Sequence, residues 1–437
     1  MIQKTVVPHV AYNEVSIKNF DTLYSTILEN VSKSNYIAVD TEFTGHCKRI
    51  VKNMEQRYDA LAVVVKSHAI VSFGMTTLQE LPSESNMAVY GAQNFEFLTS
   101  NQDTFQVDPG NLKFLAENGL DFNRHFQFGL PYHAGTHAVT SQRDIRSLWR
   151  DLLFTIRKNN IPIIVHNGLL DLMYIYQSFF AELPASLSIF VADLVEMFPS
   201  GIYDTKYLAN QVLSEQKSYL AYLYCKYDRS RQQLTPGSSV ATGNFAVRVG
   251  DPLVGSTVTT PLKRTADESV PLSQGSKRRM RAKKLNGLNK TPSIICHNYS
   301  NYGWCKSGKE CLSSHDLDLI LDKDQGIKRE KEQTEVEVKE EEVGEEEIRE
   351  TEEQDKAPSI EPNQRRDHAA HYDAFMTAFV FCHQASELGP VALKENINKI
   401  NLMRLRIPLR VVKSHYSKPS SAWSSVRDKI WKPDNDD

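Results

Sequence analysis

Residues 36–45 read Tyr-Ile-Ala-Val-Asp-Thr-Glu-Phe-Thr-Gly. The apolar run from Tyr36 to Val39 has the character of a buried strand, and Asp40 ends it with a charge. Asp40 and Glu42 stand two residues apart, so on a strand both carboxylates point to the same face. Open α/β sheets place their sites at the carboxyl ends of strands, which is where this pair falls. Two carboxylates on one face repel unless cations lie between them. Mg²⁺ or Mn²⁺, hard ions that take oxygen ligands, would satisfy them. An isolated pair of this kind simply faces water in most proteins, so the reading depends on what the rest of the chain adds.

Working outward, Ala69–Leu78, Met87–Tyr90 and Ile161–Val165 are further strand candidates, with Pro162 at the start or edge of the last. His166-Asn167-Gly168 then turns the chain into a helix carrying Leu169, Leu172, Ile175 and Tyr176 at helical spacing, with Asp171 one turn in. Asp204 is placed to cap a second helix at Lys206 or Tyr207, which removes it from any metal set. Far downstream, Tyr372, Phe375, Met376, Phe379, Val380 and His383 mark one face of a long helix. Asp373 lies in its first turn, off the apolar stripe, and His368 lies just ahead of it. Taken singly, Asp373 also suits the helix dipole and His368 also suits an exposed loop. Ile400–Val412 reads as a final strand.

The chain has 437 residues, 41% hydrophobic and 24% charged, an ordinary composition for a chain with sizeable cores. The net charge of −3 hides an asymmetry. Six of the eight residues from Lys277 to Lys284 are basic, whereas Glu330–Asp355 holds 14 acids and 3 bases. Such blocks usually lie outside folded cores. Without a run of about 18 apolar residues no membrane span is expected, and the stretch MIQKTVVPHVAYNEV, which lacks a long apolar segment, is not expected to act as a secretory leader. The sparse cysteines point to metal ligation inside a reducing compartment rather than to a disulfide scaffold. The expected organisation is a first domain part at 1–230, a linker at 231–291, a small cysteine-rich unit at 292–320 and an acidic spacer at 321–364. A second domain part at 365–415 and a flexible tail at 416–437 follow. A helix and strand stranded after so long an interruption are too small to fold alone, so the second part is expected to complete the first.

Acid-x-acid on a strand, an acid on the following helix and His-x4-Asp on a late helix together resemble the DEDDh exonucleases. The stretches VDTEFTG, MEQRY (54–58), HNGLLDL, EMFPSGIYDTKYLA and HYDAFMTA resemble, in this order, the poly(A)-specific ribonuclease branch and the deadenylase subunit of the Not complex. The resemblance implies an α/β, RNase H-like mixed-sheet exonuclease domain split by an insertion. It implies a catalytic set of Asp40, Glu42, Asp171, His368 and Asp373. The four acids would hold two cations, Mg²⁺ or Mn²⁺, and His368 would act as general base. The implied reaction removes 5′-mononucleotides from the 3′ ends of single-stranded, adenosine-rich RNA, with 2′-hydroxyl contacts separating RNA from DNA. Phe43, Asn167 and Lys206 are the implied RNA contacts there, although Phe43 equally suits the core and Lys206 an ordinary surface position. One departure is His371, which stands where relatives usually carry glycine; His368 keeps the family spacing to Asp373.

Cys296-x8-Cys305-x5-Cys311-x3-His315 supplies three thiolates and an imidazole, a closed tetrahedral shell for one structural Zn²⁺. The unit resembles CCCH zinc fingers, which commonly bind single-stranded RNA. Tyr299, Tyr302 and Trp304 lie between the ligands, where they could stack on bases or merely cover the metal. Lys263-Arg264 and Lys277-Arg278-Arg279 have the spacing of a bipartite signal for a nuclear import receptor, so a nuclear protein is expected, with nucleoli and Cajal bodies implied by the resemblance. The competing readings are an RNA-binding protein whose nuclease fold has lapsed, acting through its finger, and a DNA exonuclease.

Overall fold

The computed structural model describes residues 10–46, 53–83, 87–136, 143–232, 245–256, 294–326 and 369–431. The strands in chain order are β1 (Asn13–Val15), β2 (Tyr36–Phe43), β3 (Ile70–Leu81), β4 (Ala88–Asn101), β5 (Leu130–Tyr132), β6 (Ile163–Val165), β7 (Ile202–Asp204) and β8 (Phe245–Val249). A separate small hairpin pairs β9 (Lys399–Ile400) with β10 (Leu409–Arg410). The helices are α1 (Phe20–Ser32), α2 (Met54–Ser67), α3 (Pro109–Glu117), α4 (Phe122–Phe128), α5 (Ile145–Lys158), α6 (Leu169–Ile175) and α7 (Leu187–Met197). They continue with α8 (Thr205–Tyr207), α9 (Leu220–Gln232), α10 (His297–Tyr302), α11 (Leu317–Asp324), α12 (Ala370–Glu395) and α13 (Ser421–Trp431).

The main sheet runs β1-β4-β3-β2-β6-β7. β3 is antiparallel to both β2 and β4, while β6 and β7 run parallel to β2. This is the mixed order of RNase H-like folds. The outer edge of β4 is closed in succession by β8 at Ala88–Ala92, β1 at Phe95–Phe97 and β5 at Thr99–Asn101. No long edge is left open there, which protects the sheet from pairing with another chain.

β2 is a central strand with both faces covered, which explains its nearly unbroken apolar run. Ile37 and Val39 enter one core with α1, α5 and α6; Ala38, on the other face, enters a second core with α9 and α12. Asp40 and Glu42 continue the Ala38 side, so both acids face α12. α12 itself is buried on every side from Ala370 to Gln384, because it lies between the sheet and α9. The apolar stripe read from the sequence understates that burial.

Several boundaries differ from the sequence reading. The strand read at Met87–Tyr90 continues to Asn101. The helix opened by Asp204 is one turn, followed by a wider turn at Leu208–Val212. Within the span read as linker, 231–291, Phe245–Val249 is a strand, because five residues suffice to fill a vacant edge position beside β4. α11 carries the finger unit on to Asp324, inside the span read as acidic spacer, because Ile320 and Leu321 are fully buried against α9. Ile400–Val412 is two short strands rather than one. The span read as a flexible tail, 416–437, contains α13, whose Trp423 is fully buried. The basic cluster at 263–284 and the acidic run at 330–355 lie outside the described residues.

Candidate active site

Asp40 and Glu42 project from the carboxyl-terminal half of β2, and Asp373 projects from the first turn of α12. One ligand atom from each of the three lies within 4.8 Å of the other two. Asp171, in the first turn of α6, stands outside that group of three and reaches the same strand from its opposite face through Thr41, whose hydroxyl donates to Asp171 Oδ1 at 2.7 Å. The alternation of the strand therefore serves both sides, with the two acids toward α12 and Thr41 toward α6.

Burial, together with repulsion from Asp171 and Asp373, holds Asp40 and Glu42 well above the ordinary carboxylate range; Glu42 adds to the repulsion on Asp40, and Glu96 to that on Glu42. Asp171 is pushed up to about 6 by burial, against the opposing hydrogen bond from Thr41. An all-oxygen set of acids that repel one another in this way fits a hard divalent cation, which would remove the repulsion. His368 lies outside the described residues. Ala369, which follows it, borders a cavity of about 130 Å³ shared with Glu42, Glu96 and Leu98.

The remaining residues singled out from sequence have varied placements. Phe43 is 7% exposed and stacks on Tyr174 at 4.4 Å, so it belongs to the core and offers no face to a base. Asn167 has φ +60°; its amide donates to Asp204 Oδ1 at 3.0 Å, and its side-chain oxygen accepts from Asn401 at 2.8 Å. Lys206 is half-buried and donates to the Ser218 carbonyl at 3.3 Å. Burial lowers its pKa, with Asp204 opposing. Asp204 accepts from four backbone amides, those of Asn167, Lys206, Tyr207 and Asn401. That fully employed carboxylate explains its burial and its absence from the acidic cluster.

In the finger, ligand atoms of Cys296, Cys305, Cys311 and His315 lie within 4.8 Å of one another. His315 Nε2 is buried without a hydrogen-bond partner among the described residues, as a nitrogen reserved for a metal would be. The Ser307 backbone amide holds the Cys305 thiol below its ordinary range. Tyr299 stacks flat on His315 at 4.3 Å, whereas Tyr302 and Trp304 are 72% and 63% exposed. Sequence reasoning missed Thr41, Gly74, Glu96 and Asn401. The roles of Gly74 and Glu96 depend on strand register, and those of Thr41 and Asn401 on hydrogen bonds between distant segments, which no single segment carries.

A mixed sheet of this order, with acids converging at one end of its central strand, defines the RNase H-like nucleases. Residues 15–151 and 136–381 match the model for "CAF1 family ribonuclease", and the chain belongs to that family. Poly(A)-specific ribonuclease PARN of Danio rerio is 27% identical over 135 residues, 27% of this chain and 20% of that protein. Poly(A) ribonuclease pop2 of Schizosaccharomyces pombe is 25% identical over 205 residues, 46% of this chain and 56% of its own length. The chain thus spans between a fifth and just over half of these curated relatives. A solved structure of S. pombe Pop2p in its Mg²⁺- and Mn²⁺-bound form aligns over 50% of this chain and 82% of that one, with 20% identity and a TM-score of 0.40.

Proposed function

We propose that this chain is a divalent-metal-dependent 3′→5′ exoribonuclease with deadenylase character, releasing 5′-mononucleotides from single-stranded, adenosine-rich RNA 3′ ends. The convergence of Asp40, Glu42 and Asp373 from opposite ends of the chain is the observation that carries this reading. The names of the relatives, poly(A)-specific ribonuclease and poly(A) ribonuclease, support the substrate class.

Asp40, Glu42, Asp171 and Asp373 are the residues that would hold two Mg²⁺ or Mn²⁺ ions. Such ions, when bound, activate water and offset charge on a phosphate under in-line attack. Of the chain's own groups, the His368 imidazole takes the proton of the attacking water at neutral pH. Lys206 adds positive charge beside the substrate phosphates, and the Asn167 turn shapes the same end of the sheet. Cys296, Cys305, Cys311 and His315 are the residues that would hold one structural Zn²⁺, whose role would be to order the finger rather than to catalyse. Tyr302 and Trp304 present free ring faces for bases, each stack contributing ~1–3 kcal/mol; Tyr299, engaged with His315, braces the metal shell.

Within the family we place the chain with the nuclear deadenylase called target of EGR protein 1. Its substrates on this reading are the 3′ tails of small nuclear and other nuclear non-coding RNAs. The basic clusters at 263–264 and 277–279 serve an import receptor, bringing the chain to nucleoplasm, nucleoli and Cajal bodies.

The test is incubation of the full chain with uniformly labelled oligo(A) and Mg²⁺ or Mn²⁺. Mononucleotide release that stops at a 2′-deoxy 3′ end and is lost in Asp40→Ala, with RNA binding retained, is the expected result. Binding with no release under either metal would favour an RNA-binding protein that acts through the finger alone.

A further inference from the structure

One rung of the sheet runs Asp40, Gly74, Glu96, Glu14 across β2, β3, β4 and β1. Residues paired directly across strands share a face, so this rung is three acids with a gap at the glycine. The gap is occupied by backbone: a Cβ on Gly74 would lie 2.0 Å from the Ala370 carbonyl oxygen and 2.7 Å from the His371 nitrogen. The first turn of α12 therefore rests directly on the sheet, between Asp40 and Glu96.

On the Glu96 side, His371 Nδ1 lies 2.9 Å from Glu96 Oε2, and the other Glu96 oxygen accepts from Ser72 at 3.1 Å. The His371 ring stacks on Tyr12 at 3.8 Å and is 4% exposed. On the Asp40 side, Asp373 closes the acidic cluster. Two residues of one helical turn thus reach opposite ways across the same glycine, and fixing one fixes the rotation of the turn that aims the other.

We propose that Gly74, Glu96 and His371 are positioning residues: they set the height and rotation of the first turn of α12, and through it the reach of Asp373 toward Asp40 and Glu42. The proposal rests on the reading of the acidic cluster as a cation site. A glycine at position 74 is required by the close approach of backbone to backbone, not by its own torsion angles. Outer partners that orient metal-binding groups typically control affinity by about 10–100-fold.

The experiment measures Mn²⁺ binding to the full chain by electron paramagnetic resonance of free Mn²⁺, without RNA, alongside thermal melting. Asp40→Asn identifies the signal that belongs to the cluster. Gly74→Ala and Glu96→Leu should fold yet bind Mn²⁺ at that site about 10–100-fold more weakly. Glu96→Gln, which keeps a side chain of the same length and shape beside His371, should recover most of the affinity. A role confined to packing would lower the melting temperature and leave the affinity of the folded chain unchanged. Wild-type Mn²⁺ affinity in folded Gly74→Ala and Glu96→Leu overturns the proposal. If Gly74→Ala does not fold, the contrast between Glu96→Leu and Glu96→Gln decides in the same way. A wild-type chain that binds no Mn²⁺ at the cluster overturns the cation reading, and the cradle with it.

Discussion

The Thr41 hydroxyl donates to Asp171 Oδ1 at 2.7 Å, so the strand that carries Asp40 and Glu42 also orients the acid arriving from α6. Thr41→Val keeps the branched shape but removes the hydroxyl donor, leaving the Asp171 carboxylate only its backbone contacts at Thr41 and Asp171. The expected outcome is a folded chain whose half-saturating Mg²⁺ concentration for cleavage rises about 10–100-fold. Thr41→Ser, which keeps the hydroxyl, should recover most of the loss. Metal titrations of initial cleavage rates check both; equal metal dependence of wild type and Thr41→Val would remove Thr41 from this role.

The metal-free cluster has a pH signature. Burial raises the Asp171 carboxyl from 3.8 to about 6. A carboxyl raised in the folded state holds its proton more tightly there than in the unfolded chain. Its stabilising contribution is therefore present below the ordinary carboxylate pKa and is lost as pH rises through the folded value. The difference for Asp171 is on the order of 3 kcal/mol, at 1.36 kcal/mol per pKa unit. Asp171→Asn carries no charge to bury and still accepts from Thr41. In a chelator, its melting temperature should rise relative to wild type between about pH 4 and about pH 7, in line with that linkage. Calorimetric melts across the window check this, and Mn²⁺ should abolish the advantage by neutralising the wild-type cluster.

How far these features could be read from sequence depends on whether they are periodic. The Asp40–Glu42 pair and the α12 stripe were legible because a strand repeats every two residues and a helix every 3.6. Gly74, Glu96 and His371 were not, because their meeting depends on a three-strand register that no one segment encodes. β8 escaped because five residues among Ser, Thr, Gly and Pro give too short a period, and its order comes from the β4 edge. Phe43 was ambiguous at a strand end. A register irregularity between Glu42 and Phe43 and the stack on Tyr174 settle it as core.

The cysteine-rich unit is docked on the α/β body through α9. Arg229 of α9, 4% exposed, pairs with Asp318 and Asp322 of α11 at 2.6 Å each. Lys217 reaches Asp324 at 2.5 Å, and Gly303, at φ +70°, lies against the Tyr219 ring. Removing both acids leaves a buried guanidinium stripped of two carboxylates, so Asp318→Ala/Asp322→Ala should cost about 3–5 kcal/mol. Arg229→Met strands the two largely buried carboxylates instead and should cost a comparable amount, whereas the triple variant Arg229→Met/Asp318→Ala/Asp322→Ala, which leaves none of these charges buried alone, should cost less. Denaturant melts of the full chain give the ordering. Hydrogen exchange along α9 should rise in the double variant and also in His315→Ala, where the finger loses a proposed zinc ligand.

Trp423 turns the C-terminal segment into part of the fold. Its indole N–H donates to Glu196 at 2.5 Å, and its ring packs on Phe180 with centroids 5.5 Å apart. Ser420 secures the start of the same helix by donating its backbone amide to the buried Asp193 at 2.8 Å. Trp423→Ala empties the site of a fully buried large side chain and removes one of the donors to Glu196, which keeps Lys413, so a loss of about 3–5 kcal/mol is expected. Trp423→Phe should lose less, since it fills most of the space and gives up only the indole hydrogen bond, worth about 1.5–3 kcal/mol to a charged acceptor. Cleavage per folded molecule should stay near wild type in both, because α13 packs on α5, away from the acidic cluster. Chemical denaturation followed by tryptophan-independent circular dichroism checks the ordering, and a Trp423→Ala chain as stable as wild type would return this segment to the status of a tail.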